Sequence, residues 1–297
     1  MPPAGPGANP DTSRTPLRVG VILSPPASIG GGVGYGVVTR PAVTDFCAAL
    51  SSIMGVEVSA GAFPDYLALL EAMNEGQADL AWLPPVVALR SASQGSTIPL
   101  ALPIRGGTAW FSAALFTRGD SAITDLQYLR GARVAWVDPQ SASGYLVIRA
   151  WLRSQGLELK DVFSQEHFLG SHESVVEAVM RGDADVGATY AHLGEDMQWV
   201  RSAGWGANPV RVLALAGPIP SDVVAASVRL PVPVIRYIRD ILVRHMTPDL
   251  RRACASLLQA EGFIAAESEH MAPLVDLLNH FEDTARRLNS VIPPKRP

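Results

Sequence analysis

Cysteine is nearly absent from this 297-residue chain, and the two present, Cys47 and Cys254, fall on segments with amphipathic helical spacing. That position favours core thiols over a disulfide or a metal site. The six histidines form no His-x-x-x-His pair, and there is no Cys-x-x-Cys, so no structural metal is expected. Also lacking are a Walker loop, a Ser-His-Asp order and a G-x-G-x-x-G placed directly between strand and helix, and no cofactor is expected. No apolar run reaches the roughly 18 residues of a transmembrane helix, so the chain is not expected to span a membrane. With 24 Lys and Arg against 28 Asp and Glu, net charge −4, there is no basic excess to neutralise a phosphate backbone, which excludes nucleic acid as a partner.

Residues 1–16 are rich in Pro, Gly and small polar side chains and hold no apolar run of signal-peptide length. They read as a disordered tail. As written, the chain reads as cytoplasmic; a start lying upstream would make it periplasmic instead.

What is present is an α/β alternation. Strand patterns at 17–23, 56–60 and 78–83 enclose a helix from Pro41 and one opened by Phe63-Pro-Asp-Tyr66 and stopped by Gly76. This order implies a parallel sheet covered on both faces. A glycine-rich loop, 24–36, follows the first strand, and further helix and strand patterns run over 86–92 and 100–104. After Gly106-Gly107 a second unit begins. Its strands are expected at 112–117, 133–137, 165–169 and 185–190, with helices over 121–129, from the serines near 142 to Gln155, and from the Ser171 cap to Gly182. A strand at 210–214 and helices at 235–244 and 274–288 complete the chain. The expected architecture is two-lobed, each lobe a mixed, mostly parallel sheet flanked by helices. Residues 17–106 with 210–297 form one lobe and 107–209 the other, with hinges near 105–108 and 205–209.

One stretch stands out chemically. In Asp138-Pro-Gln-Ser-Ala-Ser-Gly144 a buried strand breaks and a helix begins with two serines. The first turn of a helix carries unpaired N–H donors and partial positive charge, so Ser141, Ala142, Ser143 and Gly144 make an anion cradle. Ordinary N-capping by Ser141 or Ser143 explains the same residues without a ligand. His172, beside the Ser171 cap, is either a solvated side chain or an anion contact. Tyr66 is either a half-buried helix-start aromatic or a ligand contact. His192 faces the ligand only if the strand register is right, and Asp222 equally suits a turn after Pro220.

Several separated stretches then match one pattern: Asp65-Tyr66 through Asp79-Leu-Ala-Trp82, Asp138-Pro-Gln-Ser-Ala-Ser-Gly144, His172-Glu173 and Ile219-Pro-Ser-Asp222. In order and spacing they resemble the phosphate/phosphite/phosphonate-binding components of bacterial ABC transporters. The resemblance runs from about Leu17 to Leu288. It implies a type 2 periplasmic-binding-protein fold that closes on a small anionic ligand without covalent chemistry, with an ABC permease or a sensor kinase as protein partner. It also implies ligand contacts from Ser141, Ser143, the Ala142 and Gly144 amides, Tyr66 and His172. Trp110 stands in place of a family tyrosine. Asp222 matches a carboxylate that binds the amine of aminoalkylphosphonates. Two positions depart from the pattern. Ala142 replaces a threonine and loses a hydroxyl, and His192 replaces a second amine-binding carboxylate, which disfavours an ammonium-bearing ligand.

Two other classes of function compete with capture of a phosphorus oxyanion. One is an enzyme on the same scaffold, with Trp110, Tyr145 and Tyr190 enclosing an organic substrate and His172 or His192 as general base. The other is a member that has lost its ligand and works through a protein partner.

Overall fold

The computed structural model of the chain describes residues 16–22, 39–194 and 200–276. The tail expected over 1–16 (all but residue 16), the loop over 24–36 and the last helix beyond 276 lie outside the described residues. The chain divides into two compact units, Met1–Trp110 with Pro220–Glu267 and Phe111–Ile219 with Ser268–Pro297.

The elements follow in order: β1 (Leu17–Val21), α1 (Arg40–Met54), β2 (Val58–Ala62), α2 (Tyr66–Glu75), β3 (Leu80–Leu83), α3 (Pro85–Ser93) and β4 (Thr97–Ile104). Next come β5 (Trp110–Arg118), β6 (Ala132–Trp136), a π-helical turn (Ala142–Leu146) continuing as α4 (Val147–Ser154), α5 (Leu159–Val162), β7 (Phe163–Phe168), α6 (His172–Arg181), β8 (Val186–Leu193), β9 (Val200–Ala203) and β10 (Val210–Pro220). The chain then adds β11 (Val223–Ser227), α7 (Val232–Arg244), α8 (Pro248–Leu258) and β12 (Gly262–Ala265).

In the first unit the sheet order is β12-β4-β11-β3-β1-β2. β1 pairs in parallel with β2 and β3, as the strand-helix alternation requires, and β11 and β12 close the other half antiparallel. α1 buries Phe46, Leu50 and Met54 in one cluster with Ile238 and Ile241 of α7 and Leu250, Cys254 and Leu257 of α8. Burial of that many large apolar side chains is the main stabilising contribution here, at roughly 1.5–3 kcal/mol for each fully buried one. α2 lies tightly against β1. A Cβ built on Gly20 would come within 2.2 Å of Leu69 Cδ1, so any larger residue there would push Leu69 aside.

The second sheet has the order β10-β5-β8-β6-β7, with β9 on β8. Here β7, β6 and β8 run parallel, and β5 and β9 pair antiparallel with β8. Val175, Val176 and Val179 of α6 pack with Phe116, Val137 and Trp205. Gly187 lets α6 settle on β8, since a Cβ there would meet Val175 at 2.7 Å. Each unit is thus a mixed sheet flanked by helices, with more antiparallel pairing than the strand-helix alternation alone indicates.

One local reading is corrected. The helix expected over 121–129 is only a 3-10 turn, Leu126–Tyr128. Of its apolar residues Leu129 alone is fully buried while Tyr128 is 54% exposed, so no stripe exists to hold a longer helix, and the Ser121 hydroxyl accepts from Ile123 N–H instead. Pro248 occupies the first turn of α8 behind a Thr247 cap, where its missing N–H costs nothing.

Candidate functional site

Three neighbouring parallel strands of the second unit, β7, β6 and β8, end at one edge of their sheet. The chain leaving β6 forms the Asp138–Gly144 turn, the chain leaving β7 runs through Gly170 and Ser171 to His172, and His192 lies near the end of β8. Val137 ties the first two together. Its N–H donates to the Gly144 carbonyl at 3.2 Å, and its carbonyl accepts from Gly170 N–H at 2.8 Å. The π turn also packs against β8. Carboxyl ends of parallel strands are where open α/β sheets bind ligands.

Within the turn, Ser141 is the N-cap, and its Oγ accepts from Gly144 N–H at 3.0 Å. The Gly144 amide is therefore already engaged inside the turn. Leu146 N–H reaches back five residues to the Ser141 carbonyl at 2.9 Å, which makes the first turn π-helical, a local widening frequent at functional sites. A Cβ on Gly144 would stand 2.3 Å from Val137 Cγ2, so glycine is demanded here by packing against the residue that follows β6. Ala142 is buried, and Ser143 is fully buried with a hydroxyl that meets no hydrogen-bond partner. As first-turn residues, Ala142 and Ser143 have N–H groups with no intrahelical acceptor.

His172 opens α6 and is buried. Its Nδ1 shares a 2.9 Å hydrogen bond with Thr189 Oγ1. Thr189 is fully buried and kept in place by Gly204, where a Cβ would fall 2.1 Å from the Thr189 hydroxyl. Tyr190 lies edge-on to His172, ring centroids 5.0 Å apart, and 6.0 Å from the His192 ring, which also neighbours Phe111. Burial, with Glu173 nearby, raises the Tyr190 phenol above its ordinary value and keeps it a neutral donor. The turn, His172 and His192 are thus brought to one sheet edge, and Thr189, which sequence reading passed over, orients one of them.

The remaining expected residues belong to the first unit. Tyr66 is the first residue of α2 behind an Asp65 cap, and burial raises its phenol well above the usual range. Trp110, at the start of β5, is half-buried, its backbone N–H donating to Thr108 Oγ1 at 3.1 Å. Asp222 is buried and bound to Arg105, with Nη2 to Oδ2 at 3.0 Å, while Arg105 Nε donates to the Leu258 carbonyl at 2.8 Å. Burial pushes the Asp222 carboxyl up and Arg105 down to about 10. Arg105 escaped sequence reading because its partner lies 117 residues away.

Among the described residues no group of His, Cys, Asp and Glu is arranged to hold a metal ion, and no helix is long and apolar enough to cross a membrane.

Two mixed sheets of strands flanked by helices are the fold of a solute-binding protein of the type 2 periplasmic class. Residues 37–271 match the family described as "ABC transporter, phosphonate, periplasmic substrate-binding protein", and the chain belongs to it. This family consists of binding components, not enzymes. The chain is 30% identical over 137 residues to the phosphate-import protein PhnD of Mycolicibacterium smegmatis, a match covering 42% of each chain. Its fold is shared with the binding protein component of an ABC phosphonate transporter from Pseudomonas aeruginosa, with TM-score 0.67, 19% identity, and 95% of this chain and 91% of that one covered. PhnD1 from Prochlorococcus marinus in complex with methylphosphonate superposes with TM-score 0.64 at 19% identity, covering 93% of this chain and 99% of that one.

Proposed function

We propose that this chain captures a small phosphorus oxyanion of the phosphate, phosphite or alkylphosphonate class at the Asp138–Gly144 turn, for uptake by an ABC permease or presentation to a sensor kinase. The observation that carries this reading is Ser143. A fully buried hydroxyl without a partner is costly unless something completes it, and this one sits in the first turn of a helix where a second anion donor, the backbone N–H, is also available. The dipole of the helix favours negative charge at that place, and hydrogen bonds to charged groups are the strong ones. A family relative is named for phosphate import, and a protein of like fold holds methylphosphonate, which supports the ligand class.

His192 and Asp222 favour an anion without an ammonium group. The first offers an imidazole where the family pattern has a carboxylate, and the second is already paired with Arg105.

The test is calorimetric titration with phosphate, phosphite, methylphosphonate and 2-aminoethylphosphonate. One of the first three is expected to bind. Ser143→Ala, losing one hydrogen bond to a charged ligand of about 1.5–3 kcal/mol, should weaken binding roughly 10- to 150-fold. An unchanged affinity in the variant would remove the turn from the ligand site.

A further inference from the structure

Asp138 opens the turn and is buried, at 5% exposure. One carboxylate oxygen, Oδ1, accepts from Gln140 N–H at 2.7 Å, while Oδ2 is buried and meets no donor. Burial lifts the carboxyl above its ordinary value, opposed by the N–H groups of Gln140 and Ser141. Among the described residues, the two buried side-chain oxygens without a hydrogen-bond partner are Asp138 Oδ2 and Ser143 Oγ, both on this one turn. They differ in kind. A serine hydroxyl has a proton to give, whereas an ionised carboxylate can only accept. Asp138 follows directly on Val137, whose backbone is bonded both to Gly144 in the Ser143 turn and to Gly170 in the segment leading to His172.

A fully ionised oxyanion offers acceptors alone, and two acceptors facing each other in a buried place repel. An oxyanion that keeps a proton offers a hydroxyl, which an acceptor completes. We propose that Asp138 Oδ2 accepts a hydrogen bond from a protonated oxygen of the bound anion, so that the site takes oxyanions that retain a proton near neutral pH and rejects those that do not. Phosphate, phosphite and alkylphosphonates are in the first class, sulfate and sulfonates in the second. Asp138 is then a specificity residue, paired with Ser143 as acceptor beside donor. The inference rests on the Asp138–Gly144 turn being the ligand site.

Asp138→Asn is the informative change, because its carbonyl keeps the bond from Gln140 N–H while an amide donor replaces Oδ2. Wild type, Asp138→Asn and Asp138→Ser, the last keeping a short oxygen acceptor for Gln140, are titrated calorimetrically at neutral pH with phosphate, methylphosphonate, sulfate and methanesulfonate. Thermal melts without ligand identify the variants that fold. In wild type the phosphorus anions should bind at least roughly 100-fold more tightly than their sulfur counterparts, because a site built to hydrogen-bond a hydroxyl rejects analogues lacking it, by up to roughly 10⁴–10⁵. In Asp138→Asn the gap should shrink to within about tenfold, through gained sulfate affinity and lost phosphate affinity. A wild type that binds phosphate and sulfate alike, or folded variants that keep the full gap, would overturn the role of Asp138 while leaving the phosphorus-anion site standing. Failure of wild type to bind any of phosphate, phosphite and methylphosphonate would overturn the site and this inference with it.

Discussion

Replacing Arg105 with methionine separates structure from ligand binding in the first unit. The Arg105 and Asp222 side chains are 10% and 3% exposed, and the guanidinium spans both the Asp222 carboxylate and the Leu258 carbonyl. Losing one member of a buried pair leaves the other charge uncompensated, at about 3–5 kcal/mol. For a unit of this size each kcal/mol moves the melting temperature by roughly 2–4 °C, so Arg105→Met should melt roughly 6–20 °C lower. The double variant Arg105→Met/Asp222→Leu removes both charges and should recover part of that loss, because apolar replacement of a whole buried pair is often neutral. Calorimetric melts of the two single variants and the double give the coupling directly. Asp222→Asn should cost stability while leaving affinity for methylphosphonate unchanged. A shift below about 2 °C for Arg105→Met, which is less than about 1 kcal/mol, would refute the claim that this substitution leaves a buried charge uncompensated. A double variant less stable than both singles would do the same.

Three other outcomes follow from local geometry. Gly144→Ala should destabilise by roughly 1–3 kcal/mol and weaken anion binding, because its Cβ overlaps Val137, and a melt at wild-type temperature would show that Val137 yields easily. Cys47 and Cys254 are buried free thiols, and burial raises Cys254 to about 12. A thiol reagent should therefore label neither cysteine in the native protein and both in denaturant, whereas fast native labelling would contradict the packing of α1 on α8. The Asp185 carboxyl is held below its ordinary value, first by its side-chain hydrogen bond from Arg133. A depressed carboxyl contributes stability that is complete above its unfolded pKa of about 3.9 and is lost as pH falls through the lower folded value. Acid unfolding of Asp185→Asn should accordingly lack part of the wild-type stability loss below about pH 5; identical acid profiles would show the Arg133 contact to be inert.

Local signals carried much of this architecture. α1, α2 and α6 each pair an apolar stripe with a capping side chain and a left-handed glycine stop, so their limits could be read from neighbouring residues. The Asp138–Gly144 turn was legible for the same reason, since a strand-breaking proline and two serines lie within one short stretch. β11 was not legible. Val-Val-Ala-Ala-Ser is short and small, and it becomes a strand only by pairing antiparallel with β3 and β4, far earlier in the chain. Thr189 read as part of an apolar strand because its hydroxyl acquires a purpose only when α6 brings back His172, 17 residues earlier. Asp138 was visible as a strand breaker, but its unpartnered oxygen is a property of burial in three dimensions.

The claim that matters most is that the Asp138–Gly144 turn holds the anion, and amide chemical shifts test it directly. Backbone ¹H–¹⁵N spectra of the labelled protein, recorded as methylphosphonate or phosphate is added, should show the Ala142 and Ser143 N–H resonances moving downfield and saturating with the calorimetric affinity. N–H groups that gain an anionic acceptor shift in that direction, and Ser143→Ala should require correspondingly more ligand. Saturable binding that leaves Ala142, Ser143 and Gly144 unmoved would place the anion elsewhere and contradict the account.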